Sequence, residues 1–211
     1  MEQSVSGVGV LDKAVSILAA LEAGPCSLAG VVEATGLTRA TAHRLAGALE
    51  VHGFVGRDTQ GRYAVGPRVA GLGLAAAARP ALEVLRDATG ESVQLFVRRG
   101  AQRICILALE SPHGLRTIVP VGAVLPLERG SAGAVLRDDL QAGRRGWAQS
   151  VGEREAGVAS VSAPVRRLGR TVAAVSVSGP IERTTRSPGK RFATDVVRAA
   201  RSVEAAMGWA P

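Results

Sequence analysis

Cysteine, histidine and long apolar runs are all scarce in this chain, and each scarcity removes a class of function. The two cysteines, Cys26 and Cys105, lie far apart with no metal-like spacing, so they read as small buried hydrophobes in a reducing compartment and argue against a disulfide framework. Three histidines, His43, His52 and His113, belong to no Cys/His/Asp cluster of ligand spacing, so no metal site is expected. No run of eighteen apolar residues occurs, and the opening M-E-Q-S-V-S-G has neither the basic nor the apolar region of a secretion signal. The expectation is a cytoplasmic protein with no membrane partner. The G-x-S-x-G elbow, the Walker loop and the dinucleotide fingerprint are missing too. G-L-G-L-A-A-A-A at 71–78 has glycines without the strand context such a motif needs, so no cofactor is expected.

The chain has 211 residues and a net charge of +8, which suggests a polyanionic partner. The excess is unevenly placed. Residues 1–66 hold five basic and six acidic side chains, so any DNA affinity there must come from a few placed arginines and backbone N–H groups, not from a bulk field.

The stretch from Cys26 to Val51 organises the rest. Leu28, Val31, Val32 and Thr35 fall on one helical face, Gly36 breaks that helix, and Leu45, Ala48 and Leu49 predict a second buried stripe. Ser27 and Thr38 stand at the two cap positions, and Leu37 is placed to plug the corner. Ahead of this pair, residues 8–23 put Leu11, Val15, Leu18 and Leu21 on one face and stop at Gly24-Pro25. After it, F-V-G-R-D and T-Q-G-R-Y-A-V predict a hairpin turning at Thr59-Gln60-Gly61. Three helices and a hairpin make a winged helix-turn-helix. Its second helix would read the major groove through Thr38, Arg39, Thr41, Ala42, His43 and Arg44, with Ser27 close by, and Arg57 and Arg62 on the wing would meet the sugar-phosphate backbone.

From Pro80 the pattern changes. A-L-E-V-L-R-D-A-T reads as a short helix ended by Gly90, S-V-Q-L-F-V-R-R and Q-R-I-C-I-L-A-L-E as strands, G-S-A-G-A-V-L as a helix start, V-A-S-V-S-A-P-V and T-V-A-A-V-S-V-S-G-P-I as two more strands, and 188–207 as a last helix. Strands with flanking helices give an α+β class.

Three segments carry a family resemblance: G-V-L-D-K-A-V-S-I-L-A-A-L, then S-L-A-G-V-V-E-A-T-G-L-T-R-A-T-A-H-R-L-A-G-A-L-E-V-H-G-F-V, then G-R-Y-A-V-G-P-R-V-A-G-L-G. Together they resemble the DNA-binding half of IclR-type transcriptional regulators. The resemblance implies a winged helix-turn-helix domain over 1–66, a linker helix over 67–78 used in dimer contacts, and a GAF-like effector domain over 79–211. It also implies a homodimer or homotetramer on double-stranded operator DNA, and a small effector, an amino acid or keto acid. By the resemblance Ser176 and Ser178 match the family's serine pair in the effector pocket, with Ser150, Val158 and Ser160 at further wall positions, and Gly130, Ser131 and Ala132 are ligand candidates on other grounds. Gly130-Ser131-Ala132 open a helix whose free N–H groups could receive an anion, and Ser176 and Ser178 alternate on one strand face. Overall similarity points to the actinobacterial branch tied to amino-acid, notably leucine, metabolism; repression is the commoner mode of the family, in which activators also exist. The spacings before Arg79 and between Leu136 and Gly157 are shorter than the family pattern. Two rival readings are a small hydrolase using Cys105 or Ser131 with His113, and an architectural DNA binder without an effector.

Overall fold

The capped apolar stretches become helices: α1 (Gly9–Ala20), α2 (Leu28–Thr35) and α3 (Arg39–Val51). The computed structural model describes residues 6–139 and 144–209, and the chain divides between Gly73 and Leu74 into two units. In the first unit Ser27 accepts the Gly30 N–H at 3.2 Å and Thr38 accepts the Thr41 N–H at 3.3 Å, each supplying a partner to an N–H that the helix start leaves free. Gly36 ends α2 at φ 68°, in the left-handed region that a Cβ disfavours, and this turn delivers Leu37 into a core with Ile17, Leu21, Val31, Ala42 and Ala46.

Strands β1 (Val55–Arg57) and β2 (Tyr63–Val65) form the antiparallel wing. Tyr63 also exchanges both main-chain hydrogen bonds with Cys26, each 2.9 Å, which ties the wing to the segment ahead of α2. At Gly66 a Cβ would stand 2.3 Å from the Gly53 carbonyl oxygen. The Gly-Pro pair that closes the wing is therefore a space requirement.

Two details depart from the sequence reading. Leu11 and Val15 are 52% and 53% exposed, because the buried stripe of α1 starts only at Ile17 and runs on to Leu21. On α3, Ala48 is exposed, and Ala42 and Ala46, four residues apart, hold the buried positions.

Helix α4 (Pro67–Thr89) opens on a proline whose missing N–H costs nothing there. The separate linker helix expected over 67–78 and the short helix after Pro80 are one helix with Pro80 inside it. An interior proline costs about 3 kcal/mol. Leu82 and Leu85, both at most 2% exposed, offset that loss, since burying one such side chain contributes about 1.5–3 kcal/mol.

The second unit is α+β. Its antiparallel sheet has the order β5-β4-β3-β8-β7-β6, built from β3 (Ser92–Arg99), β4 (Gln102–Leu109), β5 (Val124–Pro126), β6 (Ala148–Val151), β7 (Val158–Arg167) and β8 (Arg170–Pro180). Leu168 and Gly169, at φ 48° and 76°, make the two-residue β7–β8 turn. Strand alternation gives the sheet two unlike faces. Val93, Leu95, Val161, Ala163, Val175 and Val177 face an apolar core with Leu74, Ala78, Leu82 and Leu85 of α4, and with Phe192, Val196 and Val203 of α7 (Pro188–Ala206). The other face carries Gln94, Phe96, Ser150, Ser160, Ser162, Ser176 and Ser178, and α5 (Ser131–Leu136) packs over it. A one-turn helix α6 (Ile181–Thr184) precedes α7.

Candidate DNA-reading face and effector cavity

Over the first two turns of α3 the residues turned outward are Arg39, Ala40, His43 and Arg44, and Ala48 and Val51 are exposed further along. Among the described residues Arg39, His43 and Arg44 form no hydrogen bond or ion pair, so their donors are open to a partner. Thr38 donates its hydroxyl proton to the Thr41 hydroxyl at 2.9 Å, which leaves the Thr41 proton free for a phosphate oxygen. Ala42 does not belong with them. It is fully buried in the core of the unit, because a helix turns about 100° per residue and position 42 falls on the inner side.

The wing arginines are already engaged. Arg57 donates through Nε to Glu50 at 3.1 Å and through a terminal nitrogen to the Gly61 carbonyl at 2.9 Å, and it lies 4.2 Å over the Tyr63 ring. Its partners raise its pKa. Arg62 donates to Asp58 at 2.8 Å, and Asp58 also accepts the N–H groups of Gln60 and Arg62 that form the turn. Both arginines brace the hairpin as well as standing at its surface.

In the second unit, all eight expected pocket positions line one cavity between the polar face of the sheet and α5. Its volume is about 30 Å³, room for about one water. Cross-strand register builds the floor: Ser150 pairs with Ser160 and Ser160 with Ser178, while the neighbouring row joins Ser162, Ser176 and Gln94. The serine hydroxyls bond to one another. Ser131 lies 2.7 Å from Ser160 and 2.8 Å from Ser162, and Ser162 donates to Ser176 at 2.9 Å. Each hydroxyl has one proton, so the chain has a direction. Ser162 gives its proton to Ser176, Ser131 must give to Ser162, and Ser160 to Ser131. Ser176 ends the chain with a proton to offer the cavity, whereas Ser178 has spent its own on Gln94 at 3.1 Å.

The N–H groups opening α5 are the expected anion site. One of them is taken: the Gly130 N–H donates to Glu153 at 2.9 Å. Six lining residues are not marked by the sequence reading, namely Gln94, Phe96, Arg103, Val119, Leu125 and Arg154. The usable signal was Arg103 itself, a charged residue inside the apolar strand R-I-C-I-L-A-L. It is 3% exposed and lies 5.4 Å from the Phe96 ring centre. One terminal nitrogen donates to the carbonyls of Pro126 and Arg129. Burial, with Arg154 and Arg137 nearby, lowers its pKa to about 10, so it stays charged at neutral pH.

The hydrolase reading finds no constellation. Cys105 is buried, donates to the Leu107 carbonyl at 3.3 Å, and has its thiol pushed up to about 11 by burial. Ser131 bonds to serines, and no bond joins His113 to either residue among those described.

Comparison with known proteins covers both units. Residues 10–59 match the IclR helix-turn-helix domain, and residues 68–138 and 134–205 match, in two overlapping pieces, the C-terminal domain of bacterial IclR transcriptional regulators. The chain is 29% identical to the glycerol operon regulatory protein of Streptomyces griseus, over 93% of this chain and 94% of that one. It is 26% identical to the transcriptional repressor IclR of Escherichia coli K12, over 88% and 84%. A crystal structure of an IclR-family regulator from Rhodococcus shares the fold with a TM-score of 0.62 at 27% identity, covering 97% and 96% of the chains. So does an IclR homologue from Microbacterium hydrocarbonoxydans complexed with 4-hydroxybenzoate, with a TM-score of 0.59 at 19% identity over 94% and 99%. The Streptomyces alignment runs over 240 positions, more than the 211 residues here, and the break in the C-terminal match falls at the end of α5, where the sequence is short of the family pattern.

Proposed function

We propose, since the chain belongs to the IclR family of transcriptional regulators, which bind DNA and are not enzymes, that a small metabolite, an amino acid or keto acid, controls its affinity for a specific operator. The observation that carries this reading is the exposed, unpaired row Arg39, His43 and Arg44 on the second helix of the helix-turn-helix. Arginine forks suit guanine edges, and one bidentate contact is worth about 1–3 kcal/mol of discrimination. The serine-floored cavity supports the effector half of the reading. A tenfold effect on operator affinity needs about 1.4 kcal/mol of coupling, well within what a few hydrogen bonds supply.

The working form is a homodimer or homotetramer in the cytoplasm. Val8, Val10, Leu11 and Val15 are each more than half exposed, an apolar strip suited to a second copy, and two half-sites supply the specificity that one small unit lacks. No helix among the described residues is long and apolar enough to cross a membrane. The regulated genes are read as amino-acid, notably leucine, biosynthesis genes under repression.

Selection of binding sites from random DNA tests the core of the proposal. A pseudo-palindromic site is expected, and Arg39→Ala should lose about 1–3 kcal/mol of discrimination at one base position in each half-site. Unchanged binding by both Arg39→Ala and Arg44→Ala overturns the helix assignment. Operator binding that no amino or keto acid alters favours the architectural reading. Transcript comparison of a deletion strain with its parent, with and without leucine, checks the target genes.

A further inference from the structure

The cavity is lined by two arginines, Arg103 and Arg154, and by no carboxylate. Elsewhere in this unit a buried charge is paired: Glu91, 2% exposed, receives two hydrogen bonds from Arg183 at 2.6 and 2.8 Å. Arg103 is different. Among the described residues no carboxylate lies within ion-pair distance of it, and its Nε is buried with no hydrogen-bond partner. An unpaired buried guanidinium is costly, yet the packing is shaped to keep this one. At Gly133 a Cβ would come within 2.8 Å of an Arg103 terminal nitrogen and 2.2 Å of the Leu127 oxygen, so α5 carries glycine where it crosses the arginine.

We propose that Arg103 is the anion-recognising residue of the effector cavity, and that the effector is a small acid without an ammonium group, a keto or hydroxy acid and not an amino acid. The proposal rests on the reading of this cavity as the effector site. Its negative end would take up the unused Nε–H of Arg103 and the free hydroxyl proton of Ser176, two donors with no acceptor of their own. An ammonium group would meet the unpaired Arg103 guanidinium, and the carboxylates nearby do not line the cavity: Glu155 is paired with Arg154 at 3.9 Å, Glu153 accepts the Gly130 N–H, and Glu128 acts on Arg103 from outside the wall. Size points the same way, toward short chains, because so small a cavity admits a ligand only by local displacement.

The test is calorimetry on the full-length protein with pairs of acids that differ only at C2: glyoxylate and glycine, pyruvate and L-alanine, 2-oxoisovalerate and L-valine, and 4-methyl-2-oxopentanoate and L-leucine. At least one oxo acid should bind ten times more tightly than its amino partner. That affinity should fall at least tenfold in Arg103→Met and be recovered only in part in Arg103→Lys, which restores the charge but not the Nε–H. The fluorescence of Trp147 and Trp209 reports folding of this unit in each variant, and Arg154→Ala provides a second variant if Arg103→Met folds poorly; it should weaken the same acid several-fold. Tighter binding of the amino partner, equal binding by wild type and Arg103→Met, or no binding by any oxo acid each overturns the proposal. An amino acid that binds and shifts operator affinity would overturn it while leaving the regulatory reading intact.

Discussion

Replacing Ser162 by alanine probes the hydroxyl chain at its least accessible link. Ser162 is fully buried, accepts from Ser131 and donates to Ser176, so Ser162→Ala strands one proton and one acceptor at once and opens almost no volume. Each unmet buried group costs about 1–3 kcal/mol. Ser176 lines the cavity and regains part of its loss there, which puts the expected change near 2 kcal/mol. With an unfolding entropy of about 2.1 cal/mol/K per residue over the second unit, that corresponds to a Tm lower by roughly 5–8 °C. Both tryptophans, Trp147 and Trp209, pack against the core of this unit, so urea unfolding followed by indole fluorescence reads it selectively. Ser131→Ala/Ser162→Ala should lose about 1 kcal/mol less than the two single changes together, since they share a bond. Equal stability of Ser162→Ala and wild type, or strict additivity in the double variant, would refute the directed chain.

The wing, the thiols and the Gly66 junction offer independent checks. Asp58→Asn keeps an acceptor for the turn N–H groups of Gln60 and Arg62 but releases the Arg62 guanidinium, so non-specific DNA binding should strengthen and the salt slope steepen by up to about 0.9 per half-site; an unchanged slope means that Arg62 does not meet phosphate. With a disulfide exchange reagent at pH 8 one thiol, Cys26, should react readily in the native protein and Cys105 only after denaturation. The raised Cys105 pKa keeps it a thiol until the pH nears 11, and rapid titration of both in the native state would contradict its burial. Gly66→Ala should weaken operator binding and lower the stability of the first unit, measured by limited proteolysis, because a methyl group has no room beside the Gly53 carbonyl.

Local rules made much of this legible. Ser27, Gly36 and Thr38 mark helix ends through bonds that close within three or four residues, and the caps formed as read. The Val/Ser alternation of 175–178 likewise announces a strand with two unlike faces. What failed depended on partners remote in sequence. Ala42 was counted from the helix start, whereas its burial follows from the angular phase that Ile17 and Val31 impose. Pro80 read as a boundary, yet the apolar sheet face beneath α4 outweighs its local penalty. Glu153 reaches Gly130 across 23 residues, and nothing near either one signals the contact. Arg103 was visible as an anomaly in an apolar strand, but its missing partner could be known only from the fold.

The strict alternation along β7 and β8 has a consequence for how the chain avoids misfolding. A slip of one residue turns one strand of this hairpin over against the other, sending either Ser160 and Ser162 or Ser176 and Ser178 into the apolar layer and the Val161 or the Val175 and Val177 side chains of the same strand into the polar one. Two stranded hydroxyls at about 1–3 kcal/mol each, together with the apolar side chains lost from the core, take up much of the 5–15 kcal/mol that holds a typical domain together. The two-residue turn at Leu168-Gly169 starts the pairing in register, and the serines act as a key that refuses every odd-numbered alternative. Drift in these residues under selection for a new ligand is therefore constrained twice, since a mutation that makes the floor uniformly apolar would also let the hairpin close out of step.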